Sequence, residues 1–427
     1  MTAARRREAG ERAALVGLIT GPIRRSEAER SLEELAGLAD AAGASVALRV
    51  LQERERPDAA TFLGRGKLEA LAAACDETGA TLAIFDNELT PAQLRQIEKR
   101  LAVKVIDRTQ LILDIFAARA RTREGKLQVE LAQLRYLMPR LAGGSEWLSR
   151  LGGGIGTRGP GETKLEVDRR RIRARIAALG RQIEEVRQRR LQLRERRHKA
   201  AVPTVALVGY TNAGKTTLFN RLAGQSAVVS DALFVTLDPL VRRVRLPDRR
   251  ELLVSDTVGF IDRLPTALVA AFRATLEEVA GADLLLHVID AEAAGRDKRM
   301  AAVRHTLEEV GAAAVPVLEV FNKCDLLEPA ERERLLRQEP ESLCISAATG
   351  EGRDELVDAI TGRLALDVRR LVAHFDPASE ADRRRLADVY RFGRVRQHVE
   401  HDGRVMVEAD VPGRLYPRLA GGGSSDA

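Results

Sequence analysis

The chain has 427 residues, too many for one compact core, and 45% of them are hydrophobic, an ordinary share for a soluble protein. No apolar run is long enough for a membrane-spanning helix, and the arginine-rich start lacks the apolar core of a secretion signal. The three cysteines, Cys75, Cys324 and Cys344, have no metal-ligand spacing and fit reduced thiols, so a cytoplasmic protein is expected, in part peripherally associated with membranes.

Residues 1–12 are charged and unpatterned, as in a disordered tail. Over 13–108, apolar runs at 14–19, 46–50, 81–85 and 103–106 alternate with helical stretches at 26–42, 67–78 and 90–101. That alternation predicts a small parallel α/β domain. Thr90-Pro91 supplies a cap and a first helical proline. Gly64-Arg65-Gly66-Lys67 opens a helix and could hold phosphate or an RNA backbone, although an ordinary helix entry explains it as well. An ATP-using RNA remodeller acting through these four residues is one rival function.

Residues 109–200 change to long helices. Leu127, Leu131, Leu134 and Met138 recur at helical spacing, and Ile172, Ile176, Leu179, Ile183, Val186 and Leu193 form a second seam. Two such seams joined by one loop predict an antiparallel helical hairpin. Its tip is the glycine-rich segment 142–164, which carries Trp147, Arg150, Gly153, Gly154, Arg158 and Lys164. An aromatic ring to stack on bases and cations for phosphates, on a thin backbone, suit RNA contact; a linker without structure is the alternative. If 164–199 is one helix, it spans about 54 Å. Residues 168–199 hold thirteen Lys or Arg against four acids, more than the whole chain's surplus of +7. Arg169, Arg170 and Arg173 begin that basic face, and its charge ratio favours polyphosphate over self-paired charges.

Residues 201–365 contain the densest chemistry. An apolar run at 204–208 leads into GYTNAGKT, residues 209–216. This is the pattern of a loop whose backbone N–H groups cradle a polyphosphate at a helix N-terminus. Gly209, Tyr210, Thr211, Asn212, Ala213, Gly214, Lys215, Thr216 and Thr217 would hold the phosphates, Lys215 as a point charge and Thr216 as a Mg²⁺ ligand. Phe234, Val235, Thr236, Leu237 and Asp238 follow on a loop, where Thr236 is the natural second hydroxyl for the metal. Asp256-Thr257-Val258-Gly259 closes a strand, with Asp256 placed for a metal-bound water and Gly259 for a γ-phosphate. Asn322-Lys323-Cys324-Asp325 closes another, and the Asp325 carboxylate can accept two hydrogen bonds from guanine that adenine cannot offer. Ser346 and Ala347 complete the base pocket. The joint order specifies a Mg²⁺-dependent guanine-nucleotide domain binding GTP and GDP. Phe260 stands where many GTPases keep a water-orienting glutamine, so unaided hydrolysis should be slow; a plain core phenylalanine is the other reading, and both can hold. Residues 366–420 predict a small α+β domain with a hairpin at Asp402-Gly403, and 421–427 a disordered tail.

The segment Gly152-Gly153-Gly154-Ile155-Gly156-Thr157-Arg158-Gly159-Pro160-Gly161-Glu162, the stretch Leu127-Gln128-Val129-Glu130-Leu131-Ala132-Gln133-Leu134, and GYTNAGKT through DTVGF together resemble the HflX family of bacterial ribosome-associated GTPases over roughly residues 13–415. The resemblance implies an N-terminal α/β domain, a helical linker, a P-loop GTPase domain and a small C-terminal domain. It also implies binding of the large ribosomal subunit and its rRNA, and GTP-dependent separation of stalled or idle ribosomes by a protein that is monomeric off the ribosome. A GTP-switched scaffold or assembly factor is the alternative. Leu240 stands where the family often has threonine, and Gly125 is expected to break the helix before the first seam.

Overall fold

A computed structural model describes residues 11–21, 24–141, 164–199, 202–224, 234, 240–246, 251–261, 279–293, 295–364, 368–401 and 403–420, with the side chains of all of these except 141, 164, 165, 190–199, 368 and 414. The first unit is a four-stranded parallel sheet of order β2-β1-β3-β4. Its strands are β1 (Arg12–Ile19), β2 (Ser45–Glu53), β3 (Leu82–Phe85) and β4 (Lys104–Asp107). A strand buried on both sides needs apolar residues without alternation, and the last seven residues of β1 are all buried. Its side chains divide between two cores. Leu15 faces α1 (Arg25–Ala41) and α4 (Arg108–Arg119), while Val16 faces α2 (Arg65–Thr78) and α3 (Pro91–Leu101). Thr90 caps α3 with a reciprocal Gln93 box, which fixes where that helix starts.

Helix α5 (Arg123–Leu137) packs on α6 (Lys164–Lys199). Leu127, Leu131 and Leu134 meet Ile172 and Leu179, with Met138, Ile176 and Ile183 at the margin, as the spacing of the two seams requires. Gly125 does not interrupt α5: it lies in the first turn, where its N–H is capped by the Thr122 hydroxyl at 3.0 Å. A first-turn glycine loses less than an interior one because its N–H has no intrahelical partner anyway. The expected break is therefore a start. The opposite face of α5, Val129, Ala132 and Tyr136, is buried in the first unit's core. Buried Asp107 fastens the C-terminal end of α5 to the first unit, capping α4 at the Gln110 N–H and accepting from the Tyr136 hydroxyl at 2.8 Å and from Arg140 at 3.2 Å.

The second sheet has order β10-β9-β8-β5-β7-β6. It comprises β5 (Thr204–Val208), β6 (Leu240–Arg245), β7 (Glu251–Asp256), β8 (Leu284–Asp290), β9 (Val317–Asn322) and β10 (Leu343–Cys344), all parallel except β6 against β7. Central β5 is followed by α7 (Lys215–Ala223). Helices α8 (Arg296–Glu309), α9 (Pro329–Gln338) and α10 (Arg353–Arg363) also belong to this unit. The last unit is a three-stranded antiparallel sheet of order β11-β13-β12, formed by β11 (Val368–Phe375), β12 (Arg394–His401) and β13 (Arg404–Pro412). Helices α11 (Glu380–Phe392) and α12 (Tyr416–Ala420) accompany it, and Val389 and Leu419 enter its core.

Candidate functional site

The loop 209–214 leaves the central strand β5 with β8 and β7 on either side, the position where α/β sheets open a crevice at their carboxyl ends. Two glycines are required there by space as well as by dihedral angle. Gly209 has φ +146°, and a Cβ on it would lie 2.2 Å from the Val288 carbonyl oxygen; Gly214 has φ +89°, and a Cβ would lie 2.2 Å from Asn322 Nδ2. Asn212 also takes a positive φ of 61°.

Lys215 is buried at the start of α7, where its Nζ donates to the carbonyl oxygens of Gly209 at 3.0 Å and Tyr210 at 2.7 Å. Burial pulls its pKa down to about 8, against a small upward pull from Asp256. Thr216 Oγ1 donates to Asp256 Oδ2 at 2.8 Å, and the carboxyl is itself fully buried. A hydroxyl and a carboxylate side by side are hard oxygen donors of the kind that suit Mg²⁺. Thr257 is buried and donates to the Leu207 carbonyl at 2.6 Å.

Asn322 joins the phosphate loop to the loop that carries Ala347. Asn322 Nδ2 donates to the Ala213 carbonyl at 2.8 Å while its Oδ1 accepts from the Ala347 N–H at 2.8 Å. Lys323, at φ 66°, pairs with Asp290 at 2.7 Å. Asp325 is exposed, whereas the neighbouring Cys324 is buried and donates its thiol to the Phe321 carbonyl at 3.2 Å. Ser346 Oγ accepts from the Thr349 N–H at 3.1 Å and holds the loop that carries Ala347. The structure thus brings together the residues of 209–217, 256–259, 322–325 and 346–347 that spacing singled out.

Phe260 has a double placement. Its ring packs with Val208, Leu285 and Val303 in the core. Its backbone continues the sheet onto the phosphate loop, the Thr211 N–H donating to the Phe260 carbonyl at 2.7 Å and the Phe260 N–H to the Gly209 carbonyl at 3.1 Å. Phe234 is buried at φ 58°, with its ring edge-on to Phe116 of α4 at 4.7 Å. Val258 and Ile261 enter the same core as Phe116. Sequence reasoning missed these partners of the site in the first unit, and no local signal points to them.

Val235, Thr236, Leu237 and Asp238 lie outside the described residues, as do Trp147, Arg150, Gly153, Gly154 and Arg158; Lys164 begins α6 without a described side chain. Arg170 and Arg173 are exposed on α6 and Arg169 is half-buried. Arg175 pairs with Glu130 across the hairpin at 2.7 Å.

Three family models match the chain: "GTP-binding GTPase N-terminal" over residues 29–117, "GTP-binding GTPase Middle Region" over 119–197, and "50S ribosome-binding GTPase" over 204–323. Among curated proteins it is 45% identical to GTPase HflX of Escherichia coli K12 over 410 residues, covering 95% of each chain. It is also 45% identical to GTPase HflX of Lacrimispora saccharolytica over 420 residues, covering 97% of this chain and 96% of that one. Among solved structures, a GTP-binding protein of Sulfolobus solfataricus in complex with GDP aligns at 24% identity and TM-score 0.46, over 83% of this chain and 98% of that chain.

Proposed function

As this chain belongs to the HflX family of GTPases, we propose that it binds the large ribosomal subunit and uses GTP binding to separate stalled or idle ribosomes into subunits, with hydrolysis stimulated by the ribosome. The observation that carries this reading is the exposed cationic stretch of α6, Arg170, Arg171 and Arg173 among it, on a helix packed against α5, which is itself anchored in the first unit's core. Such a face meets a polyphosphate surface by releasing its counterions. The matching family model over 204–323, described as a ribosome-binding GTPase, supports the same partner. The tip residues Trp147, Arg150, Gly153, Gly154 and Arg158 would probe rRNA, and the protein would act in the cytoplasm.

In the nucleotide site, Thr216 and Thr236 would hold Mg²⁺ with Asp256 behind a bound water. The ion would neutralise charge on the outer phosphates. The loop amides, Lys215 and the Gly259 N–H would hold the phosphates, and Asn322, Asp325 and Ala347 the guanine. Because the Phe260 ring lies in the core, no side chain at that position orients the attacking water. Ordering from outside would then be needed, which is what ribosome stimulation supplies. The same placement suits a second reading, a GTP-switched assembly scaffold with hydrolysis as a slow timer.

The decisive measurement is GTP turnover with and without purified large subunits across a salt series, together with sedimentation of joined ribosomes. Stimulation at low salt that fades as salt rises, with conversion into subunits, is expected. Binding of free large subunits without that conversion would favour the scaffold, and turnover indifferent to subunits at low salt would falsify the ribosome-dependent reading.

A further inference from the structure

Tyr210 is fastened in four directions. Its hydroxyl donates to Glu34 Oε1 of α1 at 2.8 Å, across 176 residues of sequence. Its ring lies under the Arg299 guanidinium, 4.8 Å from ring centroid to carbon. Its carbonyl accepts from Lys215 Nζ at 2.7 Å, and its backbone is bridged to Phe260. Glu34 is itself held: its Oε2 lies 3.0 Å from Arg108 Nη2, and Arg108 Nη1 donates to Asp86 Oδ1 at 2.8 Å. Arg108 is buried, so this pairing takes place away from water, where a guanidinium between two carboxylates fixes geometry closely.

The segment 258–261 is held from both sides. Val258 and Ile261 sit in the first unit's core while the Phe260 backbone pairs with the phosphate loop. Between them Gly259 is so near the loop that a Cβ would lie 2.8 Å from Thr211 Cγ2 and 3.0 Å from Lys215 Nζ. A terminal phosphate gripped by Lys215 and by the Gly259 N–H must draw the lysine off the Gly209 and Tyr210 carbonyls and make room beside Gly259. A diphosphate, which also engages Lys215, ends one group short of Gly259 and asks for no room there.

We propose that Glu34 is a positioning residue of the GTPase, which by holding Tyr210 keeps the 258–261 segment closed on the phosphate loop and so sets the protein's preference between GTP and GDP. The first unit is then part of the nucleotide switch. A ligand shifts an equilibrium only by its differential affinity for the two arrangements, so loosening the closed one helps the triphosphate alone.

The inference rests on the loop being a guanine-nucleotide site, and wild-type GDP binding tests that premise separately. Tyr210→Phe removes one oxygen and leaves the ring under Arg299; Glu34→Ala removes the acceptor. In the full-length protein, fluorescence titration with GDP and with a non-hydrolysable GTP analogue is expected to show each variant binding the analogue about threefold tighter or more, as loss of one hydrogen bond allows. GDP affinity of Glu34→Ala should stay within about twofold, and the double variant should match Glu34→Ala because Tyr210→Phe then has no further bond to remove. Equal changes for both nucleotides would reduce Glu34 to general support of the loop, and unchanged affinities or additive effects in the double variant would equally overturn the proposal. Wild-type protein that binds neither nucleotide would sink the nucleotide site instead.

Discussion

A methyl group at Gly214 would press on the Asn322 amide at 2.2 Å, on a backbone at φ +89°. Asn322 is the residue that joins the phosphate loop to the Ala347 loop, so the collision reaches both halves of the site. Gly214→Ala should therefore weaken GDP binding by about tenfold or more, given the cost of one strained residue; GDP titration at wild-type affinity would contradict this. Lys215 makes a second, pH-dependent prediction. Its pKa in the closed loop is about 8, lowered by burial, whereas bound phosphates favour the charged form and raise it. Above pH 8 binding must take up a proton, so GDP affinity should fall by up to about tenfold per pH unit until the bound-state pKa is passed. Below pH 8 the lysine is already charged and the affinity should be level. A titration series from pH 6.5 to 9.5 checks both limbs. At this scale the glycines, the lysine and Asn322 were legible from spacing, because nucleotide-binding motifs call for those residue types at fixed offsets. Tyr210 was legible as a loop member only, since nothing near it in sequence announces Glu34.

Helix α5 shows what periodicity reads and what it leaves out. The seam of Leu127, Leu131 and Leu134 is one stripe, and it correctly finds α6. Val129, Ala132 and Tyr136 form a second stripe that buries against the first unit, and a helix apolar on two faces gives no single direction to its pattern. Which face meets which partner is settled with the help of Asp107, whose carboxylate fixes Tyr136 and Arg140 where α5 ends. The helix pair is thus pinned where α5 ends and zipped along the shared seam. Leu179→Ala, at a fully buried seam position, should cost about 2–5 kcal/mol locally and speed amide exchange in α5 and α6 while the β5 amides remain protected. Uniform exchange across the chain would show that the hairpin is not a separable cooperative unit. The same element explains Gly125: a glycine that looks like a breaker in the interior of a pattern is harmless once Thr122 is recognised as the cap three residues before it.

Across the whole molecule, the surplus of positive charge is concentrated on one long helix, and its described arginines are largely exposed. Replacing Arg169, Arg170 and Arg173 by alanine should flatten the salt dependence of large-subunit binding by about 0.7–0.9 per lost phosphate contact and leave GDP affinity unchanged. A parallel loss at all salt concentrations would point instead to lost packing. What the sequence determined by itself was the set of local rules. Strand and helix periods gave the three α/β and α+β units with the helical hairpin, and residue types at fixed offsets gave the nucleotide loop and the candidate residues for Mg²⁺ and guanine, because these chemistries act between neighbours along the chain. What only the tertiary structure decided was how the units share residues. The Phe260 ring turned into the core while its backbone paired with the phosphate loop, Val258 and Ile261 entered the first unit's core, and Tyr210 found Glu34 from 176 positions away. Such contacts follow from which surfaces remain to be buried once each unit has folded, and that depends on packing in three dimensions, for which a linear pattern carries no period.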